Sequence, residues 1–201
     1  MLALYLAGTV VFAASGAAAA VAKRLDLFGV VVVGVLTALG GGVTRDVVIG
    51  HIPPLALADW RYPTAAAVTA AIIFWVHGAV FRLRRTMLTL DAAGLALFSV
   101  VGTTAAVDAG VPWLGSCVVG MITGVGGGVL RDVITNEIPV VLQREIYAVA
   151  SMVGAVVVVA ASRFGIEPLW PSVVGAVLVF GLRMISVYRN WSAPTPKIRD
   201  V

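Results

Sequence analysis

Residues 40–50 read GGGVTRDVVIG, and residues 126–136 read GGGVLRDVITN. Each phrase places three glycines after a long apolar run and follows them closely with an arginine and an aspartate. A glycine inside a helix costs about 1 kcal/mol relative to alanine. An arginine or aspartate at the centre of a membrane helix costs about 2.5 to 3.5 kcal/mol on insertion scales. A chain that repeats both penalties in the same order uses them for something.

The composition around the phrases is that of a membrane protein. Of 201 residues, 60% are hydrophobic and 12% charged, with a mean hydropathy of +1.03. Soluble domains are about a quarter charged, so this chain has too few charges to cover a globule. Several apolar runs of about 18 to 22 residues are long enough to cross a bilayer. The net charge of +4 comes from basic residues at the ends of these runs. That is the positive-inside pattern, and it gives no reason to expect a nucleic-acid partner. Cys117 is the single cysteine and lies in an apolar run, so it reads as a packing residue, and no metal-ligand spacing exists. The first stretch, MLALYLAGTVVFAASGAAAA, has no basic residue before its apolar part and AKR after it. A cleaved signal has the opposite flank, so this stretch is expected to remain as a membrane helix.

The hydropathy and its breaks predict an all-α polytopic protein with seven transmembrane helices, near 2–22, 28–50, 64–81, 90–108, 112–135, 145–163 and 169–187. HIPPLALADWRYP, RLRRTMLT, DAGVP and NEIPVVLQRE supply breaks, and the tail NWSAPTPKIRDV reads as disordered. Shifting the chain by 86 residues lays 5–53 on 91–139 without a gap. Gly8, Phe12 and Gly16 fall on Gly94, Phe98 and Gly102; Thr37 falls on Thr123; Arg45 and Asp46 fall on Arg131 and Asp132. Apolar sequence aligns easily by chance, but glycine, arginine, aspartate and proline positions do not.

Three helices per unit is an odd number, so the second unit enters the membrane from the other side. The expected organisation is a first three-helix repeat over 1–85, a second, inverted repeat over 86–165, a seventh helix over 166–188 and a tail over 189–201. Lys23, Arg24, Arg82, Arg84, Arg85, Arg131, Arg144, Arg183, Arg189, Lys197 and Arg199 outnumber Arg45, Arg61 and Arg163 on the other side. The C-terminus is therefore expected in the cytoplasm and the N-terminus outside the inner or plasma membrane.

The glycines admit two readings. Small residues let membrane helices approach closely. Alternatively, a kink or break frees backbone carbonyls, which must then face protein or water. Gly40 lies about 18 Å into its helix, a little past the bilayer middle, and the duplication favours the second reading, because paired discontinuous helices point to a transport path. On helical spacing Thr37, Gly41 and Arg45 share one face, as do Thr123, Gly127 and Arg131. Adjacent helical residues do not face each other, so Arg45 and Asp46 are not expected to pair. The stripe Gly8, Phe12, Gly16 and its counterpart Gly94, Phe98, Gly102 read as close packing. Asp91 serves as a helix N-cap or an accessory charge. His51 and His77 stand alone and read as structural. GVGGGVLRD lacks the Lys-Ser/Thr ending of a phosphate-binding loop, and no nucleophile, carboxylate pair or metal cluster suggests a catalytic site or an enzyme.

Through TALGGGVTRDVVIGHIP, LDAAGLALFSVVGT and TGVGGGVLRDVITNEIP, the chain resembles the trimeric intracellular cation channel family in its prokaryotic branch. The resemblance covers about residues 2–187. It implies a homotrimer in the lipid bilayer. Each protomer would hold a pore for monovalent cations, chiefly potassium, between glycine-kinked helices 2 and 5. Carried over residue by residue, it makes Gly40, Gly41, Gly42, Arg45, Asp46, Gly126, Gly127, Gly128, Arg131 and Asp132 pore or gate elements, beside Thr37 and Thr123 from the spacing. Potassium or sodium would be the permeant ion, with no cofactor. Thr103, Thr104 and Ala105 follow Gly102, where bacterial relatives often carry an amide and a lysine. Members of the broader group are also labelled glycine transporters, so a secondary transporter of a small amino acid is the competing expectation.

Overall fold

The structure, a computed structural model, describes residues 2–80, 84–143 and 146–189. The predicted tail from residue 190, Arg82, Arg144 and the side chains of His77, Arg84 and Arg85 lie outside the described residues. Nine helices occur among the described residues. They are α1 (Leu2–Ala22), α2 (Leu27–Val48), α3 (Leu55–Ala58), α4 (Arg61–Val80), α5 (Arg84–Asp108), α6 (Trp113–Ile134), α7 (Val140–Gln143), α8 (Ile146–Arg163) and α9 (Leu169–Arg189). Six of them, α1, α2, α5, α6, α8 and α9, carry stretches long and apolar enough to cross a membrane, and α4 has a shorter apolar stretch, Arg61–Val76.

The expected breaks hold structure of their own. HIPPLALADWRYP contains α3, and NEIPVVLQRE contains α7. Helix α4 begins at Arg61, three residues before the predicted start, because Pro63 is tolerated in a first turn. The Asp59 carboxylate accepts the Arg61 N–H at 3.0 Å, and Arg61 holds that carboxyl below its ordinary range. Helix α5 starts at Arg84 rather than 90, so the basic stretch that reads as a loop is partly helical.

Helices α1, α2 and α4 pack on one another, and so do α5, α6 and α8. The two groups meet along α1 against α5 and α2 against α6, while α9 lies on α5 and α8. The meeting is reciprocal. A Cβ at Gly8 would touch Phe98, and one at Gly94 would touch Phe12, with the two rings stacked at 5.3 Å between centroids. Gly16 seats Thr37, and Gly102 seats Thr123. The predicted packing stripes are thus contact faces.

Helix ends repeat as well. After α2, Ile49 N–H donates to the Arg45 carbonyl and His51 N–H to the Asp46 carbonyl, with Gly50 at φ 75°. After α6, Thr135 and Glu137 donate to the Arg131 and Asp132 carbonyls, with Asn136 at φ 55°. Both are left-handed helix stops, which favour glycine or asparagine.

Candidate functional site

Helices α2 and α6 are helical without interruption through Gly40–Gly42 and Gly126–Gly128. The expectation of a break with freed carbonyls is therefore corrected. Glycine's missing side chain is used for approach instead. A Cβ at Gly41 would fall inside the Thr123 carbonyl, and a Cβ at Gly127 would fall inside that of Thr37. At this crossing each backbone rests on the other, as small residues permit. Gly40 lies under the Leu130 side chain, Gly126 opposite the Gly41 backbone, Gly42 under the Tyr5 hydroxyl and Gly128 under that of Tyr147.

Thr37 and Thr123 are fully buried here. Their hydroxyls donate to the Val33 and Val119 carbonyls of their own helices, each at 2.6 Å. Hydroxyls with local partners need no water, and in this structure the shared face is closed by packing.

The charged ends use one design. Arg45 Nε donates to Asp46 Oδ1 at 2.8 Å, and Arg131 Nε donates to Asp132 Oδ1 at 2.8 Å. Sequence neighbours were not expected to pair, but a long arginine stem can fold back along its own helix to reach the next carboxylate. The second aspartate oxygens hold the following short helices. Asp46 Oδ2 accepts Leu55 N–H at 2.8 Å, and Asp132 Oδ2 accepts Val140 N–H at 2.9 Å. Val140 corresponds in the shift to Pro54, which has no N–H, so the donor on that side moves one residue to Leu55. All four side chains are buried, the arginines at 2% exposure. Buried charges in a bilayer demand such pairing.

The outer shells differ. Arg45 lies over the Tyr5 ring and reaches its hydroxyl at 3.4 Å. Arg131 Nη1 instead donates to Asp91 Oδ1 and Ser15 Oγ, both at 2.7 Å, and Tyr147 donates its hydroxyl to the same Asp91 oxygen at 3.2 Å. Asp91 is thus an ion-pair member inside α5, not a helix cap. Sequence reading passed over Tyr5, Ser15 and Tyr147. The shift held a signal for one of them, because Tyr5 falls on Asp91 and so marks where the shells diverge. Arg183, counted among the basic residues of the cytoplasmic side, is buried in α9 with its guanidinium 4.8 Å from the Tyr147 ring centroid.

Two cavities flank the crossing. One of about 320 Å³ is lined by Lys23, Asp91, Arg131, Asp132 and Glu137, with Lys23 and Glu137 forming an ion pair. The other, of about 460 Å³, is lined by Arg45, Asp46, His51 and Asp108. Asp91 and Asp108 are separated by about 25 Å of helix α5, so the cavities open at opposite ends of the bundle.

These features define an all-helical membrane protein with two glycine-rich helices crossed in contact and a buried Arg–Asp pair at either end. The chain belongs to the family whose model is described as "Glycine transporter", which matches residues 2–78 and 88–163. It is 44% identical over 191 residues to a UPF0126 membrane protein of Deinococcus radiodurans, covering 94% of this chain and 87% of that one. It is 39% identical over 194 residues to the UPF0126 inner membrane protein YadS of Escherichia coli K12, covering 96% and 94%. Among solved structures it matches one of the TRIC cation channels with a TM-score of 0.90 at 34% identity, over 100% of this chain and 99% of the other. The TRIC trimeric intracellular cation channel orthologue from Rhodobacter sphaeroides matches at 0.90 and 33%, over 94% and 98%.

Proposed function

We propose that the protein is a passive channel for monovalent cations, chiefly potassium, with one pore in each protomer between α2 and α6. The observation that carries this reading is the pair of charged cavities at opposite ends of α5, separated by the Gly41–Gly127 crossing. The likeness to TRIC cation channels supports it. The crossing is the closed gate, and Thr37, Thr123 and Gly40–Gly42 with Gly126–Gly128 line the path when the helices part. Each arginine is neutralised by its aspartate, so Arg45–Asp46 and Arg131–Asp132 anchor the gate helices to α3 and α7 rather than ligate the ion. No cofactor enters this reading, and no catalysis.

In this reading α4 is a seventh span, residues 1–85 and 86–165 are inverted three-helix repeats, and 166–188 is the added helix. The reciprocal contacts of α1 with α5 and of α2 with α6 support that arrangement. A homotrimer in the inner or plasma membrane follows by analogy with the trimeric orthologue.

Purified protein in a planar bilayer is expected to give unitary potassium currents with no added substrate. Uptake that depends on glycine, without current steps, would instead establish the second reading. That reading, a secondary transporter of a small amino acid, is favoured by the family's description. The path itself is tested by cysteines at Thr37 and Thr123 in a Cys117→Ser background. They are expected to react with a water-soluble thiol reagent while current flows and to be protected when it does not. Protection in conducting protein would leave this face as helix packing only. Reporter fusions test the topology: a C-terminal fusion is expected to report cytoplasm and an N-terminal one the outside. Both ends on the same side would exclude seven spans.

A further inference from the structure

Asp91 differs from every other aspartate of the buried ends in one respect. Its Oδ1 accepts from Arg131 and Tyr147, but its Oδ2 is buried with no hydrogen-bond partner. Both oxygens of Asp46 and of Asp132 are engaged. Asp91 is 1% exposed and forms part of the wall of the 320 Å³ cavity. A carboxylate oxygen held from water without a donor is unfavourable. The Arg131 guanidinium is shared by two carboxylates, Asp91 and Asp132, and neutralises one of them.

Across the whole cavity wall, Asp91, Asp132 and Glu137 face Lys23 and Arg131, three negative groups to two positive. Arg183 adds its charge from beyond the Tyr147 ring, outside that wall. At the other end the neutral Tyr5 stands where the 86-residue shift would put Asp91, Arg45 pairs with Asp46, and Asp108 completes the charged wall. Both walls thus carry one excess negative group, and what sets the first cavity apart is the buried Asp91 oxygen without a hydrogen-bond donor.

We propose that Asp91 makes the cavity between α1, α5 and α6 a binding site for one monovalent inorganic cation. The ion lies in the cavity beside the Asp91 carboxylate, which turns Oδ2 toward it, and keeps part of its hydration shell, for which the volume leaves room. Among the described residues no group of three or more histidine, cysteine, aspartate or glutamate side chains could hold a metal ion. The site therefore lacks the set of side-chain ligands that transition metals take. The Lys23–Glu137 pair stands in the same wall. This inference deepens the channel reading by giving the ion a resting place at one mouth, and it rests on that reading for its role but not for its binding.

Rubidium serves as the probe, with the full chain in nanodiscs. Equilibrium binding of radioactive rubidium is expected to saturate at one ion per protomer and to be displaced by potassium. Asp91→Asn is expected to weaken binding on the order of tenfold, while Asp108→Asn at the opposite cavity leaves it unchanged. Asp91→Asn can disturb folding by loosening Arg131, so wild-type crystals soaked in rubidium provide the second measurement, with an anomalous peak expected beside Asp91 Oδ2. Absence of that peak, or full binding in a folded Asp91→Asn protein, would overturn the site. Displacement of rubidium by glycine but not by potassium would assign the cavity to an ammonium group and overturn the inorganic ion. Currents that persist with no ion at Asp91 sink this inference and leave the channel reading standing, whereas a bound ion in a protein without currents does the reverse.

Discussion

Gly41→Ala and Gly127→Ala are expected to destabilise the protein by about 1 to 3 kcal/mol each, the range for overpacking a tight core. The reason is what the added methyl meets. At Gly41 it is the Thr123 carbonyl and at Gly127 the Thr37 carbonyl, both backbone atoms of a continuous helix. A side chain can rotate away, whereas a carbonyl in a helical ladder moves only if the whole helix moves. Gly40→Ala meets the end of the Leu130 side chain, and Gly126→Ala comes no nearer than 3.2 Å to the Gly41 Cα. Both are expected to cost distinctly less. Thermal melting of the four variants in one detergent gives the order directly. Leucine at Gly41 or Gly127 is expected to prevent the helices from crossing at all, with loss of folded protein on size exclusion. If alanine at Gly41 is as mild as alanine at Gly126, the close crossing does not exist in solution.

The sequence made the arrangement legible to the extent that it repeated itself. Glycine, threonine, arginine and aspartate recurred 86 residues apart, and the structure pairs those positions or places them in matching contacts. Hydropathy located the long helices within three residues at every end except the start of α5, which lies six residues earlier. It overlooked α3 and α7, because four-residue helices have no period to detect and depend on an aspartate carboxylate nine and eight residues upstream. The glycine triplets were read as breaks, although low helix propensity in isolation is overridden when the gain is backbone contact with another helix. Arg45 and Asp46 were set apart by a rule about Cβ positions, which does not limit how far a guanidinium can fold back. Arg183 counts by sequence only toward the basic side of the membrane, because its partner ring, Tyr147, is distant in sequence and no spacing rule reaches across α8 and α9. The tertiary environment that turns Asp91 from a cap into a buried ion-pair member was equally out of reach of spacing.

That environment leads to the second large effect. Arg131→Gln is expected to cost about 3 to 5 kcal/mol, the range for removing one partner of a buried ion pair. It would leave Asp91 and Asp132 both buried, close together and without their shared guanidinium. Arg45→Gln is expected to cost less. It leaves a single carboxylate, Asp46, which keeps the Leu55 N–H and lies 4.0 Å from the exposed His51 side chain. Its other neighbour, the Tyr5 hydroxyl, is uncharged. The two variants therefore separate the effect of the shared Arg–Asp motif from that of the extra carboxylate. Adding Asp91→Asn to Arg131→Gln is expected to recover part of the loss, because one stranded charge is removed. The coupling between these contacting residues should then be far from additive. Denaturant titration of the single and double variants in one detergent measures it. Equal losses for Arg131→Gln and Arg45→Gln, or no recovery in the double variant, would mean that the Asp91–Arg131 contact contributes nothing to stability and that the two ends are energetically alike.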